Sequence, residues 1–135
     1  MEVISAIDTL TNIGNRNRYN EAIEIYLNLF KKYNKKIAYI LLDIDFFKSI
    51  NDNFGHDKGD DVLIKSTKVI LTNIKKDDLF CRIGGEEFVI FLKEIKKEKL
   101  EKLANKIRLQ VQNFDSKISH KFTISIGATM FNPDD

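Results

Sequence analysis

Three stretches of the chain repeat apolar residues at helical spacing. Ala22, Ile23, Tyr26, Leu27 and Phe30 form one stripe; Val62, Leu63, Val69, Ile70 and Ile74 form a second; Leu100, Leu103, Ala104, Ile107 and Val111 form a third. Ile37 to Leu42 is a continuous apolar run, as expected of a strand covered on both faces, and Phe88 to Leu92 is another. Phe122, Ile124, Ile126, Ala128 and Met130 alternate with Thr123, Ser125, Gly127 and Thr129, which is strand period. Leu79 to Ile83 reads as a short strand turned back by Gly84-Gly85 into the next as a hairpin. The predicted order is helix, strand, helix, hairpin, helix, strand. That is an α/β (α+β) domain whose mixed central sheet is flanked by helices.

Composition narrows the function classes. The 135 residues are 43% hydrophobic and 31% charged, the balance of an ordinary globular domain, which excludes a disordered tail, a collagen-like repeat and a disulfide scaffold. Lys+Arg 22 against Asp+Glu 20 gives +2, too little for a surface that binds a nucleic-acid polymer or a membrane. Any polyanion must be held by a local site. The Lys-rich stretches 31–36 and 95–102 read as solvated helix ends and faces. Cys81 is the single cysteine and cannot form an internal disulfide, in keeping with a reducing compartment; as a strand residue it reads as a small core side chain. No run approaches the roughly 18–20 apolar residues that span a bilayer, and Met1 to Ser5 lacks signal-peptide character. The expectation is a cytoplasmic domain without a membrane segment.

Two acidic clusters each stand at the end of an apolar strand: Asp43-Ile44-Asp45 after the first, and Glu86-Glu87 after Gly84-Gly85 at the hairpin tip. Either alone is accounted for by turn capping. Together they form a pair of like charges that could converge, repel, and accept a hard cation between them, since Mg²⁺ takes oxygen ligands of this kind. The paired glycines leave room for a phosphate or backbone to approach, with no Cβ in the way. A chain that leaves a strand at Asp45 and enters a helix near Phe46 presents unpaired N–H groups, a cradle for phosphate to which Lys48 adds a charge. Asn51 and Asp60 carry the amide and carboxylate edges that hydrogen-bond a purine, and a carboxylate accepting from an exocyclic amine and a ring N–H suits guanine better than adenine. Of Phe46 and Phe47, one is expected in the core. His56 taken alone is a turn histidine, His120 a surface histidine before the last strand, and no Cys/His spacing points to zinc.

On these residues the chain resembles the GGDEF family of diguanylate cyclase domains. The signature loop stands as Arg82-Ile83-Gly84-Gly85-Glu86-Glu87-Phe88, the GGEEF form. Residues 43–52 and 54–60 match a second block, Asp8-Thr9-Leu10-Thr11 with Asn15-Arg16 an opening block, and Thr123 to Gly127 a late strand. The resemblance implies a polymerase-palm-like fold, related to class III nucleotide cyclases and ferredoxin-like sandwiches. It implies a reaction in which two GTP molecules become cyclic di-GMP and two pyrophosphates, each ribose 3′-hydroxyl attacking the other nucleotide's α-phosphorus. By position it implies Asp43, Glu86 and the carbonyl of Ile44 as ligands of Mg²⁺, for which Mn²⁺ can substitute. Glu86 or Glu87 is then the proton acceptor, the sequence not choosing between them, and Lys48 stabilises the phosphates. Asn51 and Asp60 then read guanine, His56 and the Phe46-Phe47 pair lie at the nucleotide, and Gly84 and Gly85 pack against it. Because each domain binds one GTP, a homodimer is implied for catalysis. The alternative is a silent GGDEF domain that binds GTP and regulates a neighbour.

Two departures from the family pattern matter. The inhibitory product site Arg-x-x-Asp stands here as Lys75-Lys76-Asp77-Asp78, and a lysine cannot reproduce the bidentate fork of an arginine. Weak or absent product inhibition is expected from this degenerate site of Lys75 and Asp78. The family also continues with an Ala-Asp-x-Ala-Leu-Tyr-x-Ala-Lys helix and a final strand, whereas this sequence stops at Pro133-Asp134-Asp135. The expected organisation is therefore residues 1–7 as the stub of a connecting helix and 8–135 as a C-terminally truncated domain, with apolar sheet surface exposed and catalysis impaired.

Overall fold

A computed structural model describes residues 5–114 and 122–131. In chain order these form α1 (Arg16–Tyr33), β1 (Ile37–Ile44), α2 (Phe47–Phe54), α3 (His56–Leu71), β2 (Leu79–Arg82), β3 (Glu87–Lys93), α4 (Lys97–Asn113) and β4 (Ile124–Met130). The strands make one sheet in the order β2-β3-β1-β4. All three ladders are antiparallel, so the α+β class holds while the mixed pairing expected of the sheet does not. The reason is topological: β2 runs in the same direction as β1, but β3 lies between them, and the parallel relation never becomes a shared ladder. Among the described residues, parallel pairing is confined to one bridge, between Gly14 and Cys81.

The continuous apolar runs reflect a sheet packed on two sides. Ala38, Ile40, Leu42 and Ile44 of β1 join Val62, Leu63 and Ile70 of α3 and Leu100, Ile107 and Val111 of α4 in one core. Ile37 of β1, with Val89 and Phe91 of β3, packs against Ala22, Tyr26 and Phe30 of α1 in the other. Phe91 stacks on Tyr26 at 5.3 Å and meets Tyr39 edge-on at 5.1 Å. One helix covers only part of the second face, and Leu41, opposite Gly127 of β4, is left 38% exposed.

Helix boundaries follow local chemistry. Asn15 caps α1 by accepting from the Arg18 N–H at 3.0 Å. Gly55, at φ 90°, adopts a conformation open to glycine and separates α2 from α3, so the single helix expected between β1 and the hairpin is two. The second stripe also overruns its helix, since α3 ends at Leu71 and Ile74 packs on the core from beyond it. Of the segment read as a connecting-helix stub, Ser5 to Ile7 are described and are not helical: Ile7 bridges Gly14, and the Ser5 carbonyl accepts from Asn15 Nδ2 and Asn17 Nδ2. His120 lies outside the described residues.

Gly14 locks the opening turn against the sheet. A Cβ there would sit 2.6 Å from Cys81 Sγ and 3.2 Å from the Phe80 carbonyl oxygen. Gly14→Ala is expected to cost about 1–3 kcal/mol in chemical denaturation. Adding Cys81→Ala should recover part of the loss, so that the double variant is less destabilised than the sum of the two.

Candidate active site

The last residues of β1 carry the site because both neighbouring strands hold them there. Asp43 pairs with Glu87 across β3 and with Ser125 across β4. The Ile44 N–H donates to the Glu86 carbonyl at 3.2 Å, which brings the hairpin tip against the end of β1. Because N–H and C=O of a strand residue share one edge, the Ile44 carbonyl faces the tip as well. Asp43 is half-buried, and burial first, then the charges of Glu86, Glu87 and Asp45, raise its carboxyl above the ordinary aspartate value. Among the described residues, the charges that shift it are all negative. The ion pairs among the described residues, Lys35–Glu94, Lys65–Asp61 and Arg82–Asp8, leave these carboxylates without a cation.

The tip itself is clamped from below. Ile83 N–H donates to the Glu87 carbonyl at 2.9 Å, closing the turn. Arg82 donates through Nε and NH2 to the Gly85 carbonyl at 3.1 and 2.8 Å, and its NH1 lies 3.3 Å from both oxygens of Asp8. Arg16 NH1 donates to the Ile83 carbonyl at 3.2 Å. Asp8 in turn accepts from the Thr11 N–H at 3.0 Å and the Thr11 hydroxyl at 2.6 Å. Burial acts to raise the Asp8 pKa, but the Thr11 hydrogen bonds and the Arg82 guanidinium outweigh it and the net shift is downward. Neither tip glycine has a positive φ. A Cβ on Gly84 would lie 3.2 Å from Glu87 Oε1, and one on Gly85 would meet nothing within 4 Å.

The other expected residues lie on α2 and α3 and at their starts, in the chain that follows this end of β1. Phe46 is the N-cap of α2 in the left-handed conformation at φ 56°, with its ring 84% exposed; Phe47 packs on the core, so it is the core aromatic of the pair. Lys48 is exposed in the first turn of α2, where N–H groups have no intrahelical acceptor. Asn51 presses on α3: a Cβ on Gly59 would fall 1.8 Å from Asn51 Oδ1, and that buried oxygen has no hydrogen-bond partner. Asp60 follows Gly59 and is exposed, and His56 is exposed at the first position of α3. No three His, Cys, Asp or Glu side chains form a closed metal cage among the described residues. A carboxylate pair with a backbone carbonyl is an open, all-oxygen donor set, of the kind Mg²⁺ completes with water and phosphate.

Lys75 and Asp78 stand elsewhere, at the rim of a 740 Å³ cleft shared with Asn12, Gly14, Arg18 and Phe80. The Asp78 carboxylate is engaged in its own turn, accepting from the Lys75 N–H at 2.8 Å. Its pKa is raised, chiefly by burial, against the opposing pull of Lys75.

Two groups of residues were given no partners in the sequence reading. Arg16, Arg82, Asp8 and Thr11 appeared only as parts of matching blocks, and no local spacing marks Arg82 and Asp8, 74 positions apart, as partners. The second group is Asp45 with Thr123 and Ser125, 78 and 80 positions apart.

The opposite pKa shifts give opposite pH signatures. A raised folded-state pKa means that the Asp43 contribution to stability is present below its unfolded value and lost as pH rises through the folded one. Ionised Asp43 is therefore a cost at pH 7 in chelator. Asp43→Asn is expected to raise the melting temperature there by about 1–2 °C, solvent screening holding the gain to about 0.5 kcal/mol, and the gain should vanish below about pH 4. Asp8→Asn should do the reverse: a loss at pH 7 that shrinks as pH falls through the folded Asp8 pKa. Thermal melts across that range check both signs.

Comparison with known proteins agrees with this geometry. The family described as diguanylate cyclase, GGDEF domain, matches residues 5–135. A probable diguanylate cyclase, DgcT of Escherichia coli, is 38% identical over 128 residues, covering 91% of this chain and 28% of the relative. The response regulator PleD of Caulobacter vibrioides is 34% identical over 131 residues, 93% of this chain and 29% of its own. The chain thus spans under a third of the length of these curated relatives. Among solved structures, the GGDEF domain of DgcB from Caulobacter crescentus in complex with c-di-GMP superposes with TM-score 0.92 at 26% identity, over 100% of this chain and 82% of that one. The active GGEEF domain of a diguanylate cyclase from Vibrio cholerae gives 0.83 at 31%, over 90% and 78%. With its two glycines and two glutamates clamped against the acidic end of β1, this chain belongs to the GGDEF family of diguanylate cyclase domains.

Proposed function

We propose that this domain condenses two GTP molecules into cyclic di-GMP with release of two pyrophosphates, as a homodimer in which each copy presents one nucleotide to the other. The observation that carries the reading is the uncompensated carboxylate cluster of Asp43, Glu86 and Glu87 at a tip whose Gly85 is required neither by backbone conformation nor by packing. A position that the fold leaves free of those demands, beside charges that need a cation, supports the approach of a metal-bound phosphate. Asp43, Glu86 and the Ile44 carbonyl would hold Mg²⁺, or Mn²⁺ in its place. Bound there, the cation lowers the pKa of the attacking 3′-hydroxyl and neutralises phosphate charge.

The chain's own groups do the rest. The first-turn N–H groups of α2 and the Lys48 ammonium receive phosphate oxygens, a cradle of fixed donors. Asn51, whose buried oxygen lacks a partner, and Asp60 accept from the guanine edge; an adenine sets a ring acceptor, N1, where guanine has a donor. Glu86 or Glu87 takes the hydroxyl proton as the 3′-oxygen attacks the α-phosphorus and pyrophosphate leaves. His56 and the exposed ring of Phe46 border the nucleotide.

The chain fused to a parallel coiled-coil dimeriser and given GTP and Mg²⁺ should form cyclic di-GMP, read by chromatography. Asp43→Ala and Glu86→Ala should each reduce the rate at least about 100-fold. GTP binding without product in the unsubstituted fusion would instead favour a silent domain. Lysine at position 75, with Asp78 tied to its own turn, supports weak product inhibition: submicromolar cyclic di-GMP should leave the rate unchanged, and inhibition at that level would refute the reading.

A further inference from the structure

We propose that Asp45, Thr123 and Ser125 form a positioning clamp that fixes the turn from β1 into α2 and thereby aims the phosphate-binding end of α2 and the Ile44 carbonyl. The inference rests on the proposed GTP site and adds to it three residues that touch no substrate. Asp45 follows two proposed metal-site groups and precedes the helix, and its carboxylate is taken up by hydroxyls beside it. Oδ2 accepts from the Thr123 hydroxyl at 2.6 Å and Oδ1 from the Ser125 hydroxyl at 2.5 Å. Its backbone N–H donates to the Thr123 carbonyl at 2.9 Å. Three bonds thus tie one residue to the start of β4, two of them to a charged acceptor and so stronger than neutral ones.

The turn needs this anchoring. Phe46, the next residue, is held at φ 56° with its ring 84% exposed, a conformation unfavourable for a bulky side chain and not stabilised by packing of that ring. No side chain caps α2, whose first helical bond is Ile50 N–H to the Phe46 carbonyl at 3.1 Å. An eight-residue helix is too short to hold its own start. On the other side, Ile44 is fixed through its N–H to the Glu86 carbonyl. Asp45 is therefore the last fixed point before the strained residue. Both residues are exposed, Ser125 on β4, an edge strand of the four, and Thr123 just before it, so loss of their hydroxyls leaves the cores untouched.

The test is the double substitution Thr123→Val, Ser125→Ala, with Thr123→Ser as the conservative control that keeps the hydroxyl. Binding of GTP and of guanosine is measured with Mg²⁺ present, and amide exchange is followed at Asp45 and Ile50. Loss of the clamp should weaken GTP about tenfold while guanosine, read by Asn51 and Asp60, stays within about twofold. Exchange at Asp45 and Ile50 should rise about tenfold with that at Leu42 and Ile90 unchanged, and Thr123→Ser should restore the Thr123 share. Equal weakening of both ligands, or GTP affinity unchanged, would overturn the proposal. Unsubstituted protein that bound no GTP would overturn the site reading instead. In that case unchanged exchange in the double variant would sink the clamp as well, whereas faster exchange would uphold its hold on the turn.

Discussion

Like charges drawn together at the end of a buried strand are the constraint on which the rest of this structure turns. β1 is one of the two central strands, and its last residues place Asp43 where the hairpin tip brings Glu86 and Glu87. Water would keep such carboxylates apart. They are brought together by the backbone: the register of β1 with β3, the Ile44–Glu86 hydrogen bond and the closed turn from Ile83 to Glu87. The favourable side of the balance is apolar burial on both faces of the sheet, which fixes the register to the residue, since a slip by one would turn the whole of β1 inside out.

The tip is stiffened by charge of the opposite sign placed behind it. Arg82 reaches the Gly85 carbonyl on one side and Asp8 on the other, so the segment before α1 and the hairpin are one hydrogen-bonded unit. Neither arginine neutralises the carboxylates in front; both bond to carbonyls, orienting the loop while leaving its acids unpaired. On the opposite flank Asp45 is treated in the reverse manner, its charge absorbed by two hydroxyls. Two acids two residues apart are thus given different work by what faces them.

Much of this was legible in the sequence. Apolar runs marked β1 and β3 as doubly covered strands, the glycine pair marked the hairpin, and abrupt carboxylates marked both halves of the site. Pairing direction was not legible, because local periodicity carries no information about which strand β3 will separate from which. The break at Gly55 escaped notice for a related reason: the reading carried one helix from near Phe46 into the stripe that begins at Val62, and only the φ of Gly55 marks the turn between. The roles of Arg82 and Asp45 depend on partners some eighty positions away, and a lone arginine or aspartate gives no sign of them. Phe46 and Phe47 are adjacent and identical in kind, and only the left-handed backbone at Phe46 sends one ring to solvent and the other to the core.

The central claim is that divalent metal and one nucleotide meet between the end of β1 and the hairpin tip. Paramagnetic broadening of the amide resonances by Mn²⁺, titrated with GTP present, tests it most directly. The account predicts broadening centred on Asp43, Ile44, Glu86 and the first turn of α2, lost in Asp43→Asn. Broadening centred instead on the acidic start of α3 around Asp57 and Asp60, or persisting unchanged in that variant, would contradict it.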